Sequence, residues 1–101
     1  MVTHVVCFDF STVEQAQTAC QLLLGMAGRI PSLLAIEAGL DFTRSQRSYQ
    51  LGLVTRHTDR AGLLAYQEHP VHREVAAFIA LHATRSVAVD FEGHFSAPSA
   101  A

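Results

Sequence analysis

The sequence predicts an α+β fold of the ferredoxin-like type: four antiparallel strands with the helices packed on one face. Three observations lead there. Apolar residues alternate with period two in four segments and recur every three or four residues in two others, in the order β-α-β-β-α-β. A chain of 101 residues leaves room for one domain. Half of the residues are hydrophobic and only 16% are charged, so some apolar surface is left over for a partner to cover.

Val2 to Phe10 is rich in β-branched and aromatic residues and reads as the first strand. Val2, His4, Val6, Phe8 and Phe10 share one face, and Thr3, Val5 and Cys7 the other. Both faces are largely apolar, so both call for burial. Ser11-Thr12-Val13-Glu14 reads as a capping box with Ser11 as N-cap. Val13, Ala16, Cys20, Leu23, Leu24 and Ala27 follow as one stripe on a helix of about four turns. Gly28 and Pro31 stop that helix. Leu33 to Phe42 reads as the second strand, with Leu34, Ile36, Ala38 and Leu40 on one face. Tyr49 to Thr55 is the third, joined to it by the polar run Arg44 to Ser48 in a hairpin. Thr58-Asp59 opens a second helical region carrying Leu63, Leu64 and Tyr66. It breaks at His69-Pro70, because proline is tolerated at the first position of a helix and not inside one. The new segment carries Val71, Val75, Phe78, Ile79 and His82 on one face. Ser86 to Glu92 is the last strand. The domain spans 1–95, and 96–101 is a short tail of small residues.

The bare sheet face is expected to be covered by a second copy, sheet to sheet, in a dimeric α/β barrel. Val6, Phe8, Leu51, Leu53, Val87 and Val89 are the residues expected to be available for that contact.

Composition excludes several classes. All seven basic residues are Arg, so Schiff-base chemistry has no lysine to use. A net charge of −2 without a basic tract leaves nucleic acid no electrostatic footprint. No run of about 18 apolar residues exists to span a membrane, and the N-terminus has no signal-peptide pattern. The cytoplasm is the expected address. Cys7 and Cys20 read as reduced, small hydrophobes. No glycine-rich phosphate loop, Gly-x-Ser-x-Gly elbow or Cys-x-x-Cys pair is present.

His4 in the strand THVVCF, Ile30-Pro31 after the first helix, the run Leu63-Leu64-Ala65-Tyr66-Gln67-Glu68-His69-Pro70-Val71-His72, and the closing Val89-Asp90-Phe91-Glu92 together form a pattern. The chain resembles the Dabb family, the stress-responsive dimeric α/β-barrel domains, over roughly Val2 to Glu92. The resemblance implies a ferredoxin-like protomer and a homodimer. Its Tyr-x-x-His-Pro-x-His string is similar to that of plant polyketide cyclases, which close a ring by aldol condensation without a cofactor. By that resemblance Tyr66 and His72 are the acid/base pair, and His4 is an inward-facing histidine of the first strand.

The residue types suit such chemistry. Proton abstraction beside a carbonyl needs a base poised near neutrality and a donor for the developing enolate; histidine and tyrosine serve these roles. His72 and Tyr66 are the candidate catalytic residues. His4, His69 and Phe8 are the candidate substrate-binding residues in an otherwise apolar interior. On an unbroken helix, residues six apart sit roughly 120° around and about 9 Å along the axis. The break at Pro70 is expected to bring Tyr66 and His72 within about 4 Å, directly or through a water. No metal is expected, since His69 and His72 lack a carboxylate within their own short motif, although Glu68 and Glu74 flank it; that no cofactor is needed is what the resemblance to the cyclases implies. His57, His82 and His94 read as surface or terminal residues. The competing reading is architectural. In it, His69 caps the segment at Pro70, His72 and Tyr66 fasten the break to the sheet, and the chain is a non-enzymatic stress-associated dimer with a packed interior. An open interior of about 300 Å³ or more reaching His72 would favour ligand binding over that reading.

Overall fold

The computed structural model describes residues 1–98. Of the tail expected at 96–101, residues 99–101 lie outside the described residues. The element order is β1 (Val2–Phe10), α1 (Val13–Leu24), β2 (Ala35–Leu40), β3 (Leu51–His57), α2 (Arg60–Glu68), α3 (Pro70–His82) and β4 (Ala83–Glu92). The strands form one antiparallel sheet in the order β2-β3-β1-β4. This is the expected ferredoxin-like arrangement, with the helical return broken into two helices.

Several boundaries differ from expectation: β2 is shorter at both ends, Ala35–Leu40 against Leu33 to Phe42, and boundaries of α1, β3 and β4 shift as well. The N-cap of α1 is Thr12, whose Oγ1 accepts the Gln15 N–H at 3.2 Å; Ser11 lies one residue outside. The helix therefore starts one residue later and ends after three turns at Leu24, capped by Gly25. Gly28 sits in the turn beyond, at φ +77°, where only glycine is unstrained. The stripe that α1 buries is Ala16, Ala19 and Leu23, while Val13 and Leu24 are exposed. In the third strand the alternation runs on through Thr55 to His57, and pairing begins only at Leu51. β4 starts at Ala83, immediately after α3, three residues earlier than its sequence suggests.

The junction of α2 and α3 falls where proline dictates. Asp59 caps α2 by accepting the Gly62 N–H at 2.7 Å. His69 holds an extended conformation (φ −64°, ψ 139°), as a residue before proline must, and its Nδ1 accepts the Val71 N–H at 3.1 Å. Pro70 then occupies the first turn of α3.

The core lies between the helices and one sheet face. Val6, Phe8, Leu51 and Leu53 are buried there with Leu23, Met26, Ile30, Tyr66 and Val75. Each such side chain contributes about 1.5–3 kcal/mol on burial. This corrects the expected composition of the bare face. In the observed register Val5 pairs with Val54 and Val89, and Cys7 with Gly52 and Val87. The bare face is therefore Thr3, Val5, Cys7, Val54, Val87, Val89 and Phe91; of the six residues expected there, only Val87 and Val89 remain. β4 is an edge strand beyond the helices' cover, so it is exposed along nearly its whole length.

Candidate functional site

Tyr66 is 1% exposed and stands at the centre of a ring of histidines. Its ring centroid lies 4.5 Å from that of His72, 4.8 Å from His57 and 6.3 Å from His4. Tyr66 comes from α2 and His72 from the first turn of α3, and the break in the helix lets the two rings touch. No direct hydrogen bond joins the two side chains among the described residues. His72 spends its Nδ1 elsewhere, on the Gln67 carbonyl at 2.9 Å.

Each of the three histidines is anchored through Nδ1. A carbonyl or a carboxylate can only accept, so in each case Nδ1 carries the proton. His72 donates to Gln67 O and His57 to Ser32 O at 2.7 Å, and His4 donates to the carboxylate of Asp90, its direct cross-strand partner on β4. The three differ at Nε2. His57 accepts there from the Thr55 hydroxyl at 2.8 Å, so both of its nitrogens are used. His4 and His72 keep Nε2 free of protein partners among the described residues.

A cavity of about 290 Å³ runs between the sheet and α3 and meets both of these histidines. His4, Tyr66, Gln67 and His72 supply its polar groups; Val6, Phe8, Leu23, Leu53, Val75 and Ile79 supply most of its apolar walls. Its size is at the lower bound of small-molecule sites, and its makeup, apolar with a few convergent polar groups, is that of such sites. A larger groove of about 500 Å³ lies between α1 and the β2–β3 loop, but surface residues such as Arg44 and Ser45 line it and no buried titratable group does.

Burial sets the electrostatics. It pushes the His72 pKa below its ordinary 6.5, the Gln67 carbonyl opposes this, and His4 reinforces it. Burial likewise lowers that of His57, with Ser32 O opposing. The Tyr66 phenol is pushed up to about 12 by burial. At neutral pH the site therefore presents neutral imidazole at His72 and a protonated phenol beside it. A lone pair at His72 Nε2 can take a proton, and the phenol can donate to an oxygen that gains charge.

The structure places His72, Tyr66, His4 and Phe8 together on this cavity. It places His69 outside it, as the cap of α3, because its Nδ1 is committed to the Val71 N–H. One residue of the cluster was not anticipated as a member; for another, Asp90, the strands offered both it and Glu37 as a carboxylate to orient a histidine. His57, expected at the surface, is fully buried. One further step of the alternation Leu51, Leu53, Thr55 would have turned it inward. Asp90 needed the β1–β4 register to be matched with His4. His82, also expected at the surface, is half-buried: its Nδ1 lies 3.2 Å from Gln15 Nε2 and its ring packs on Phe78. His94 is exposed. Among the described residues no group of three or more His, Cys, Asp or Glu side chains could hold a metal ion. Both cysteines are free.

A ferredoxin-like sheet whose helical side keeps a small apolar cavity, with histidines and a tyrosine at one wall, defines the class: an α+β domain with an interior cavity. Residues 2–93 match the family model described as the stress responsive A/B barrel domain, and the chain belongs to that family. It is similar to a dimeric ferredoxin-like protein of unknown function from Thermobifida fusca YX, with 29% identity, 89% of this chain and 88% of the other covered, and a TM-score of 0.79. A dimeric ferredoxin-like protein of unknown function from Jannaschia sp. CCS1 is 25% identical, with 91% and 98% covered and a TM-score of 0.75. The hydroxynitrile lyase of Passiflora edulis shares the fold at 13% identity, with 96% of each chain covered and a TM-score of 0.81. No curated protein matches the chain. Among the described residues, no helix is long and apolar enough to cross a membrane.

Proposed function

We propose that this protein is a homodimer that binds a small, largely apolar, oxygen-bearing molecule in the cavity beneath α3 and carries out cofactor-free proton transfer on it. The observation that carries the reading is the free Nε2 of His72, beside the Tyr66 phenol on an apolar cavity of about 290 Å³. His72 is the base: its Nδ1–H is held by Gln67 O, which fixes the tautomer that leaves Nε2 a lone pair. Tyr66, protonated up to about 12, donates to the oxygen on which charge develops. His4, oriented by Asp90, presents a second imidazole to the same space. Phe8 is part of the apolar wall. The resemblance of the Tyr-x-x-His-Pro-x-His string to the cyclases supports this division of roles, and the site needs neither metal nor cofactor for it. The dimeric relatives and the exposed Val87, Val89 and Phe91 support a second copy on the bare face. Free Cys7 and Cys20 suit a reducing compartment such as the cytoplasm.

The architectural reading keeps one observation in its favour: His69 and His72 both bond to backbone at the helix junction. Native mass spectrometry against a small-molecule cell extract separates the two. A retained compound that is lost in His72→Phe and in Tyr66→Phe, with folding unchanged, supports ligand binding. No retained compound, together with a large stability loss in His72→Phe, would establish the architectural role instead.

A further inference from the structure

The cavity beneath α3 holds no cation and an uneven set of hydrogen-bonding groups. No Arg is among the residues that line it, and the chain has no Lys. The Nδ1–H of His72 is spent on Gln67 O and that of His4 on the Asp90 carboxylate, so each neutral ring has only a lone pair left, at Nε2. Neither lone pair is sealed in protein. Among the described residues, Gln15 Oε1 is the one fully buried side-chain nitrogen or oxygen without a partner. Both rings line the cavity, and His4 is only 8% exposed, so it is onto the cavity that the lone pairs open. Tyr66, in contact with His72 and 6.3 Å from His4, adds one O–H donor at the same end. Gln67 has an amide that both donates and accepts, so it favours neither role. A ligand that fills this space drives water off two acceptors. If it brings no donor for them, each unpaired acceptor weakens binding by about tenfold.

We propose that the cavity selects a neutral molecule with two hydroxyl groups at one end of an apolar body, one donating to His72 Nε2 and the other to His4 Nε2, and that it discriminates against carboxylates. This rests on the ligand-binding reading above and names the class of ligand. Tyr66 donates in turn to one of the two hydroxyl oxygens, so the donor and both acceptors of the site are used. An ether or a simple ketone of the same size offers acceptors only; it satisfies Tyr66 and strands both imidazoles. A carboxylate does the same and adds a negative charge. The site has no cation to answer that charge, and Asp90 already stands behind one of the two lone pairs. A site that bonds a hydroxyl rejects the analogue lacking it far more strongly than an apolar pocket rejects a change of one methylene. The volume of about 290 Å³ limits the apolar body to a single ring or a short chain.

The test is a matched series of probes: cyclohexane-1,2-diol and cyclohexane-1,3-diol, their mono- and dimethyl ethers, and the corresponding hydroxycyclohexanecarboxylates. Affinities are measured by ligand-observed NMR at about pH 8, above the ordinary imidazole range. The proteins are the wild type, His4→Phe, His72→Phe and the double variant, each with a thermal melt. On the wild type, each methylated hydroxyl is expected to weaken binding about five- to tenfold, and the carboxylates are expected to bind more weakly than the diols. Each single variant has lost one acceptor, so only one such step remains; in the double variant none does. A step that persists in the double variant would show that the bulk of the methyl group sets the order, and would overturn the proposal. Equal binding across the series on the wild type, no binding by any probe, or tighter binding of the carboxylates would overturn it too, and these outcomes need no variant to fold. The ligand-binding reading is decided separately, by the cell-extract experiment. A retained compound without hydroxyl groups refutes the ligand class alone, and a protein that retains nothing refutes the reading beneath it.

Discussion

His57 offers the sharpest test of how the site is built. It is exposed neither to water nor to the cavity: its ring lies against Tyr66, its Nδ1 donates to Ser32 O and its Nε2 accepts from Thr55, itself 0% exposed. His57→Phe keeps an aromatic ring, somewhat larger, at the position and removes both bonds. Ser32, whose backbone carbonyl accepts, is only half-buried, whereas the Thr55 hydroxyl loses its acceptor in a fully buried residue. Leaving one such group unsatisfied costs about 1–3 kcal/mol. For a domain of this size that lowers Tm by about 4–8 °C per kcal/mol. Thr55→Val alone strands the His57 lone pair and is expected to cost a similar amount. The double variant removes both partners together, so it is expected to be less destabilised than the two singles added, with a coupling of about 1–2 kcal/mol. Urea denaturation of the four proteins at one fixed concentration reads the cycle, since the proposed dimerisation would make stability concentration-dependent. A coupling below about 0.5 kcal/mol, at the limit of ordinary additivity, would refute the claim that this bond organises the wall behind Tyr66.

Three further outcomes are expected. The pKa values of His57 and His72 are lowered below 6.5 in the folded state, so the unfolded chain binds protons first. Their contribution to stability is whole above pH 6.5 and is lost as pH falls through the lowered folded values, and Tm measured down to pH 5 should fall; a Tm that rises there would show that the histidines are not held neutral. Thr12→Ala should cost about 1 kcal/mol and Ser11→Ala a few tenths at most, because only Thr12 caps α1; thermal melts with the order reversed would return the cap to Ser11. Once a turned-over substrate is in hand, His72→Ala should lower kcat by about 10²–10⁴ while light scattering still gives a dimer; unchanged turnover would remove His72 from the chemistry.

What the chain determined locally, it displayed in its sequence. Period-two and period-3.6 patterns report which face an element buries, because side chains must leave water on that face. Proline reports the break after His69, because no helix can carry it past the first turn. These put Val75, Phe78 and Ile79 on the packed face of α3, and let Tyr66 and His72 meet. The interior site was legible to the same extent, through residues whose neighbours in space are also neighbours in sequence. The rest depended on which strand lies beside which. Both faces of β1 are apolar, so alternation alone could not say which face the helices cover; the cross-strand register did, and it sent Val6 and Phe8 inward and Val5 and Cys7 outward. Register alone set Asp90 beside His4, 86 positions away. Packing of α2 over the end of β3 turned a histidine that looked like a loop residue into the buried support of Tyr66. Hydrophobic pattern is a property of one segment, and a paired imidazole is a property of two; only the tertiary structure brings the second one in.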